Sequence, residues 1–153
     1  MSEAHAYLAG LIDGDGSIMI IRRQKGITKG DRKRGLSFQT FVKIGGETKH
    51  LTALRQDHRI GNLWIRKRPG QRHLAEWIIA GNQARNLLQS VLPYLRLKTD
   101  QAKTALTMPQ CRSRWDATPA LREAQLASWQ LMKRLNHRVG RGQMEGGDGS
   151  RSS

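Results

Sequence analysis

The sequence predicts an α+β protein whose helices and strands follow the order αββαββα, with further helices at the C-terminal end. Two observations predict it. Strand-like segments in which apolar and polar residues alternate occur in two pairs, and a helical segment precedes each pair. Because this αββ unit occurs twice, we expect one four-stranded antiparallel sheet with helices on one face and the other face free.

The first αββ unit occupies the N-terminal third of the chain. A helix is predicted over residues 3–14 and a strand over 17–25, followed by a charged, glycine-rich connection over 25–34. Apolar and polar residues then alternate over 36–43, which is the pattern of a half-buried strand.

The second αββ unit begins with a predicted helix over 47–59. Two strands over 62–68 and 73–79 flank the segment 69–72 (Pro-Gly-Gln-Arg), which is a strong turn signal. We therefore expect a second hairpin.

Helices follow this hairpin. Asn82 is a candidate N-cap for a helix over 84–91, and Asp100 is a candidate N-cap for a helix over 101–108.

The last helix is predicted to open with Thr118 as N-cap and Pro119 at its first position, and to end at about His137. Residues 139–153 contain almost nothing to bury, so a disordered tail is expected after a single domain over 1–138.

The net charge of the chain indicates what kind of partner it binds. The chain of 153 residues carries 27 Lys and Arg against 12 Asp and Glu, a net charge of +15. Such an excess points to nucleic acid or another anionic surface. No apolar run is long enough to cross a bilayer, so no membrane partner is expected. The single cysteine, Cys111, fits an intracellular, reducing compartment, with cytoplasm, nucleoid and organelle matrix left open.

Two carboxylates lie at the predicted end of the first helix. Asp13 and Asp15 follow the apolar segment 7–12, where the helix dipole disfavours acids. A bound divalent cation would make two carboxylates favourable at this helix end. An ordinary Asp-Gly turn is an equal alternative. A helix-loop-helix calcium loop is excluded, because Ile18 stands where glycine is needed and Gln24 where glutamate is needed.

The segment Leu8–Gly16 (LAGLIDGDG) resembles the signature of the LAGLIDADG homing endonucleases, with Gly14 in place of alanine. Residues 92–102 are similar to a second block of the single-motif, chloroplast-intron class, and 118–136 resemble its last helix. The resemblance covers residues 3–138. It implies the αββαββα fold and a site-specific DNA endonuclease that makes double-strand breaks in a long pseudo-palindromic target.

One sheet face is expected to contact double-stranded DNA. Alternation places a mostly basic set of residues on the free side of the second hairpin and apolar residues, Ile65 among them, in the core. By resemblance, the following residues contact bases, or for the three in the first connection phosphates or bases: Arg23, Lys29, Lys33, Arg34, Ser37, Gln39, Trp64, Arg66, Arg68, Arg72, Glu76 and Ile78.

The resemblance also implies a homodimer, because one motif supplies one acidic end and cutting two strands needs two. Tyr7, Ala9, Gly10 and Asp13, together with Gly14, are the expected interface residues. Ordinary core packing is the alternative for Ala9 and Gly10, and helix capping is an alternative for Asp13.

The resemblance further implies Mg²⁺ as cofactor, with Mn²⁺ able to substitute. Asp15 and the Gly14 carbonyl are the expected ligands, and Lys98 matches the family's active-site lysine. Lys49 falls on a basic pocket position. The family's pocket glutamine falls on Gly45 or Ile44, where Lys43 or Glu47 could substitute. The rival functions are an intron RNA maturase and a DNA-binding protein that has lost cleavage.

Overall fold

The computed structural model describes residues 2–23, 37–67, 69–70, 74–111 and 118–145, with side chains up to 137 in the last range. The predicted order αββαββα is confirmed, and two helices follow it. The elements are α1 (Glu3–Asp15), β1 (Gly16–Arg23), β2 (Ser37–Glu47), α2 (Thr48–His58), β3 (Asn62–Arg66), β4 (Leu74–Ala80), α3 (Gly81–Val91), α4 (Thr99–Thr107) and α5 (Pro119–Glu145), with a short 3-10 turn at Leu92–Tyr94.

The four strands form one antiparallel sheet in the order β1-β2-β4-β3. Every second residue of each strand lies on the side of the helices, and this face is largely apolar, with Thr40 of β2 as a buried polar exception. Val42 pairs with both Ile18 and Ile79, and all three are fully buried. The side chains of Leu8 and Ile12 from α1 and Leu88 from α3 complete this core. The opposite face of the sheet carries no helix layer among the described elements and is called the free face below.

The prediction that Ile65 belongs to the core is wrong. Its cross-strand partner Ala75 is 2% exposed, whereas Ile65 is 50% exposed. Because β3 is the outermost strand, the helices cover Ala75 on β4 and leave Ile65 half-exposed to solvent.

Two predicted helix starts are also wrong. The residue at the N-cap of α3 is Ala80, not Asn82, because β4 passes directly into the helix at Gly81. That sharp change of direction uses a φ of 63° at Gly81, which glycine adopts without strain. The N-cap of α4 is Lys98, so Asp100 lies inside the first turn.

The predicted start of the last helix is confirmed. The Leu121 amide donates to the Thr118 hydroxyl at 3.2 Å, and Pro119 is the first helical residue. The predicted end at about His137 is wrong, since α5 continues to Glu145, and residues 139–145 are therefore helical.

Side-chain contacts hold α5 against the sheet and α4 against α3. The Asn136 side-chain amide donates to the Ile18 carbonyl of β1 at 2.9 Å. The Arg85 guanidinium donates to the carbonyls of Ala105 and Leu106 at the end of α4, at 2.6 and 2.9 Å, and burial lowers its pKa. Across the described residues, the longest helices are too polar to cross a membrane.

Candidate functional site

The C-terminal end of α1 is held by a buried lysine. The Lys98 ammonium donates to the carbonyls of Ile12 at 2.7 Å, Asp13 at 2.9 Å and Gly16 at 2.7 Å. An ammonium has three N–H donors, and these contacts use all three. The positive charge also lies where the helix dipole is negative. Lys98 therefore stabilises the C-terminal end of α1.

The pKa of Lys98 is lowered, and the largest cause is burial, since the side chain is 8% exposed. The carboxylates of Asp13 and Asp15 oppose this effect and raise the pKa. The two acids at the end of α1 thus help to keep a buried cation charged.

Asp13 performs a capping role for a different helix. Its carboxylate accepts the backbone amides of Arg96 at 2.8 Å, Leu97 at 3.2 Å and Lys98 at 3.0 Å, immediately before α4. A carboxylate at a helix N-terminus satisfies amides that have no partner within the helix and complements its dipole. Both Asp13 oxygens therefore accept hydrogen bonds from the chain itself, which is a structural role.

Asp15 and Gly14 differ from Asp13, because both are exposed at the same helix end. The Gly14 carbonyl is not among the three that Lys98 contacts. A carboxylate next to a carbonyl supplies the hard oxygen donors that Mg²⁺ and Mn²⁺ prefer. The residues present therefore fit a divalent ion at this end of α1.

Four further positions of the predicted pocket are spread over two elements. Lys49 is exposed in the first turn of α2, and Lys43 lies on the free face of β2. Ile44 is fully buried in the core, whereas Gly45 lies on the free face opposite Glu76. A residue that replaces the family's glutamine is therefore not found at Ile44.

A three-residue ion cluster crosses the free face. The Lys43 ammonium lies 3.0 Å and the Arg66 guanidinium 3.1 Å from the same carboxylate oxygen of Glu76. These residues come from β2, β3 and β4, so the cluster ties three adjacent strands together. Glu76 thereby sets the position of two cations on this face.

The structure brings most of the predicted DNA-contacting residues together on the free face. The register places Arg23 opposite Ser37, Asn62 opposite Ile78, and Trp64 opposite Glu76. Trp64 is 65% exposed. Gln39 and Arg66 lie on the same face. The predicted contacts at Lys29, Lys33, Arg34, Arg68 and Arg72 fall outside the described residues.

Sequence reasoning missed a groove on this face. It has a volume of about 570 Å³ and is lined in part by Arg59, Asn62 and Gln83 as well as the predicted Arg23 and Gln39. The sequence signal was indirect: Gly61, two residues after Arg59, indicates a turn after the predicted helix.

The outward face of α1 matches part of the expected interface. Tyr7, Gly10 and Gly14 are exposed, and no atom lies within 4 Å of a Cβ built on either glycine. The Tyr7 hydroxyl lies 2.7 Å from His50 Nε2 of α2. The prediction of Ala9 as an interface residue is wrong, because its position on the helix turns it into the core, where it is fully buried.

The order of elements, the four-stranded sheet and the acid-ended first helix define the fold of the LAGLIDADG homing endonucleases. I-CvuI, solved with the I-CreI target, is similar with a TM-score of 0.67 and 22% identity over 86% of this chain and 80% of that chain. I-Vdi141I, an archaeal intron-encoded homing endonuclease solved with DNA, has a TM-score of 0.64 and 12% identity over 86% and 82% of the two chains.

A third similar structure, the homing endonuclease I-TnaI, has a TM-score of 0.56 and 18% identity, over 92% of this chain and 99% of that chain. At these identities the similarity establishes the fold. No protein-family model and no curated protein matches the sequence.

Proposed function

We propose that this protein is a homodimeric, divalent-metal-dependent homing endonuclease that cuts both strands of a long pseudo-palindromic DNA target. The observation that carries the proposal is the exposed Asp15 carboxylate at a helix end where Asp13 and Lys98 are already engaged by the chain. The free sheet face of the same fold carries the cations Arg23, Lys43 and Arg66. The similar structures I-CvuI and I-Vdi141I are DNA complexes, which supports a duplex as the ligand.

The free face is suited to binding the duplex. A twisted antiparallel sheet fits the major groove, and Arg66, Lys43 and Arg23 provide cations for phosphates and base edges. The chain's net charge of +15 favours the same polyanion and makes affinity fall steeply with salt.

Asp15 and the Gly14 carbonyl are the groups that would hold Mg²⁺ or Mn²⁺. When bound, such an ion supplies charge neutralisation at the phosphate and lowers the pKa of a bound water. The protein's own contribution is positional. Lys98 fixes the carbonyls around Asp15, and Asp13 ties the same helix end to the turn before α4. Both leave Asp15 directed to solvent.

Two protomers complete the site. One protomer supplies one exposed acid, and cutting two strands requires two. Among the described residues, no three His, Cys, Asp or Glu side chains cluster as a metal site, so the ion's remaining ligands would be water, phosphate and the second copy. The exposed Gly10 and Gly14 permit two α1 helices to approach closely.

A second function is favoured by a specific observation. The three donors of Lys98 are all engaged by carbonyls, and Gly45 stands near the expected glutamine position without a side chain. Both features fit a DNA-binding protein that has lost cleavage, or an intron RNA maturase. Lys98 would have to release a carbonyl in order to stabilise charge on a phosphate.

Cleavage of duplex DNA from the intron-free version of the host gene tests the proposal. Wild type is compared in Mg²⁺ and in Ca²⁺, with Asp15→Asn as the matched variant. We expect discrete double-strand scission by wild type in Mg²⁺ and none by Asp15→Asn, which should bind the same duplex. Binding without scission in either metal would favour the cleavage-inactive alternative, and preferential binding of intron RNA would favour the maturase.

A further inference from the structure

The groove on the free face lies far from the acidic end of α1. Asp15 immediately precedes Gly16, the first residue of β1, whereas Arg23, which lines the groove, is the last residue of that strand. Seven steps along a strand span about 23 Å. The other end of the groove, at Asn62, lies on β3, three strands across the sheet from β1, so the groove is separate from the group proposed to hold the metal.

The lining of the groove combines hydrogen-bond donors with an apolar floor. The donors include the guanidiniums of Arg23 and Arg59 and the side-chain amides of Gln39 and Asn62. The apolar floor includes Phe41 and Ile78. No acidic side chain lines the groove within the described ranges. Such a lining suits a ligand that presents acceptors on a flat apolar body.

Arg59 reaches the groove from an unfavourable backbone conformation. Its φ is 55° and its ψ is 32°, in the left-handed region, and it is the one non-glycine residue with a positive φ in the described part of the chain. Glycine is the usual residue at this helix-end position, because it has no Cβ. Arginine there lowers the stability of the fold, so a role for the side chain is indicated.

Hydrogen bonds from three sides fix the turn that carries Arg59. The Arg59 amide donates to the Arg55 carbonyl at 2.8 Å, and the Arg55 side chain donates to the Gly61 carbonyl at 3.2 Å. The buried Trp77 indole donates to the Ile60 carbonyl at 2.9 Å. The backbone at Arg59 is therefore set in place before any ligand arrives.

We propose that Arg59 recognises one guanine in each half of the DNA target, at the groove it lines with Arg23. This rests on the proposed DNA-binding function. Guanine presents N7 and O6 acceptors in the major groove, and the arginine fork matches both. Arg66 and Lys43 are both paired with Glu76, whereas no acidic residue is among the described residues that line the groove with Arg59.

Selection from a randomised duplex library tests this recognition. Wild type, Arg59→Gly and Arg59→Lys are each used to capture duplexes in Ca²⁺, and the captured DNA is sequenced. Arg59→Gly removes the side chain and relieves the backbone strain, so its unfolding midpoint should equal or exceed that of wild type. Arg59→Lys keeps the charge but loses the fork. Lys103→Ala removes one exposed charge from α4 and serves as the matched control.

We expect wild type and Lys103→Ala to select a guanine at one position of each half-site. Both Arg59 variants should lose that preference, by on the order of ten-fold or more, and keep the preferences at all other positions.

Three results would overturn the assignment of Arg59: unchanged preferences in Arg59→Gly, an even loss of affinity at every position, or a fall in its unfolding midpoint. If wild type itself selects no sequence, the proposed function fails as well. If wild type selects a sequence and Arg59→Gly selects the same one, only the assignment of Arg59 fails, and the proposed function stands.

Discussion

Asp13 and Lys98 are joined by two hydrogen bonds, each between the side chain of one residue and the backbone of the other. The Asp13 carboxylate accepts the Lys98 backbone amide at 3.0 Å, and the Lys98 ammonium donates to the Asp13 backbone carbonyl at 2.9 Å. The end of α1 and the start of α4 are thus joined by a reciprocal pair. The Asp13 carboxylate is engaged by backbone amides, whereas Asp15 is exposed, so one acid of the motif is structural and the other is available.

The two acids of the motif should therefore respond differently to substitution. We expect Asp13→Ala to lower the free energy of unfolding by about 1–2 kcal/mol, because three amides before α4 lose their acceptor. Asp15→Ala should change it little, since removal of an unfavourable acid at a helix C-terminus offsets the loss of its attraction to Lys98. Urea unfolding of the two variants makes the comparison, and equal losses would contradict the assigned roles.

Lys98→Met should destabilise the fold by about 2 kcal/mol, because three carbonyls lose their charged donor while the apolar stem is retained. Lys103→Met, an exposed lysine on the same helix, is the control and should change stability little. Thermal and urea unfolding measure both. If Lys98→Met unfolded like wild type yet lost DNA cleavage, Lys98 would act on the substrate and not on the helix end.

Glu76→Gln should change DNA binding and leave the fold intact. The neutral amide releases Lys43 and Arg66 and removes the one negative charge of their cluster. We expect roughly five-fold tighter binding to random-sequence duplex, equivalent to about 1 kcal/mol, and weaker discrimination at the bases that these cations contact. Titration of a random and a selected duplex at two salt concentrations checks it. Tighter binding to the selected duplex alone would be the opposite of this expectation.

Gly10→Leu tests the proposed dimer. The glycine is exposed and the space around it is open within one protomer, so leucine should fold normally in the monomer. If two α1 helices approach at this face, the added side chain should weaken association on the order of 10- to 100-fold. Sedimentation velocity measures this, with Gln89→Leu on the exposed side of α3 as control. Unchanged association would place the interface elsewhere.

Local patterns predicted the sheet well. Alternation over β2 put Val42 in the core and Gln39 on the free face, as the structure shows, and Thr118 with Pro119 marked the start of α5. These features depend on neighbouring residues alone, which is why they are readable from sequence.

The features that failed depend on contacts distant in sequence. Lys98 occupies the N-cap of α4 because Asp13, 85 residues earlier, binds its amide, and no local pattern contains that contact. Ile65 alternates like a core residue, but its strand lies at the sheet edge. The role of Arg59 depends on a left-handed turn that a run of polar residues does not reveal.

The separation of Asp13 and Lys98 also sets when the motif becomes ordered during synthesis. The motif helix leaves the ribosome first, but its partner follows 85 residues later, which at about 5–20 residues per second is a delay of roughly 4–17 s. Until then the carbonyls at the end of α1 are hydrated and its apolar side is uncovered. A nascent or truncated chain thus carries Asp15 without a fixed geometry, and the end of α1 becomes fixed only on chains synthesised beyond α4.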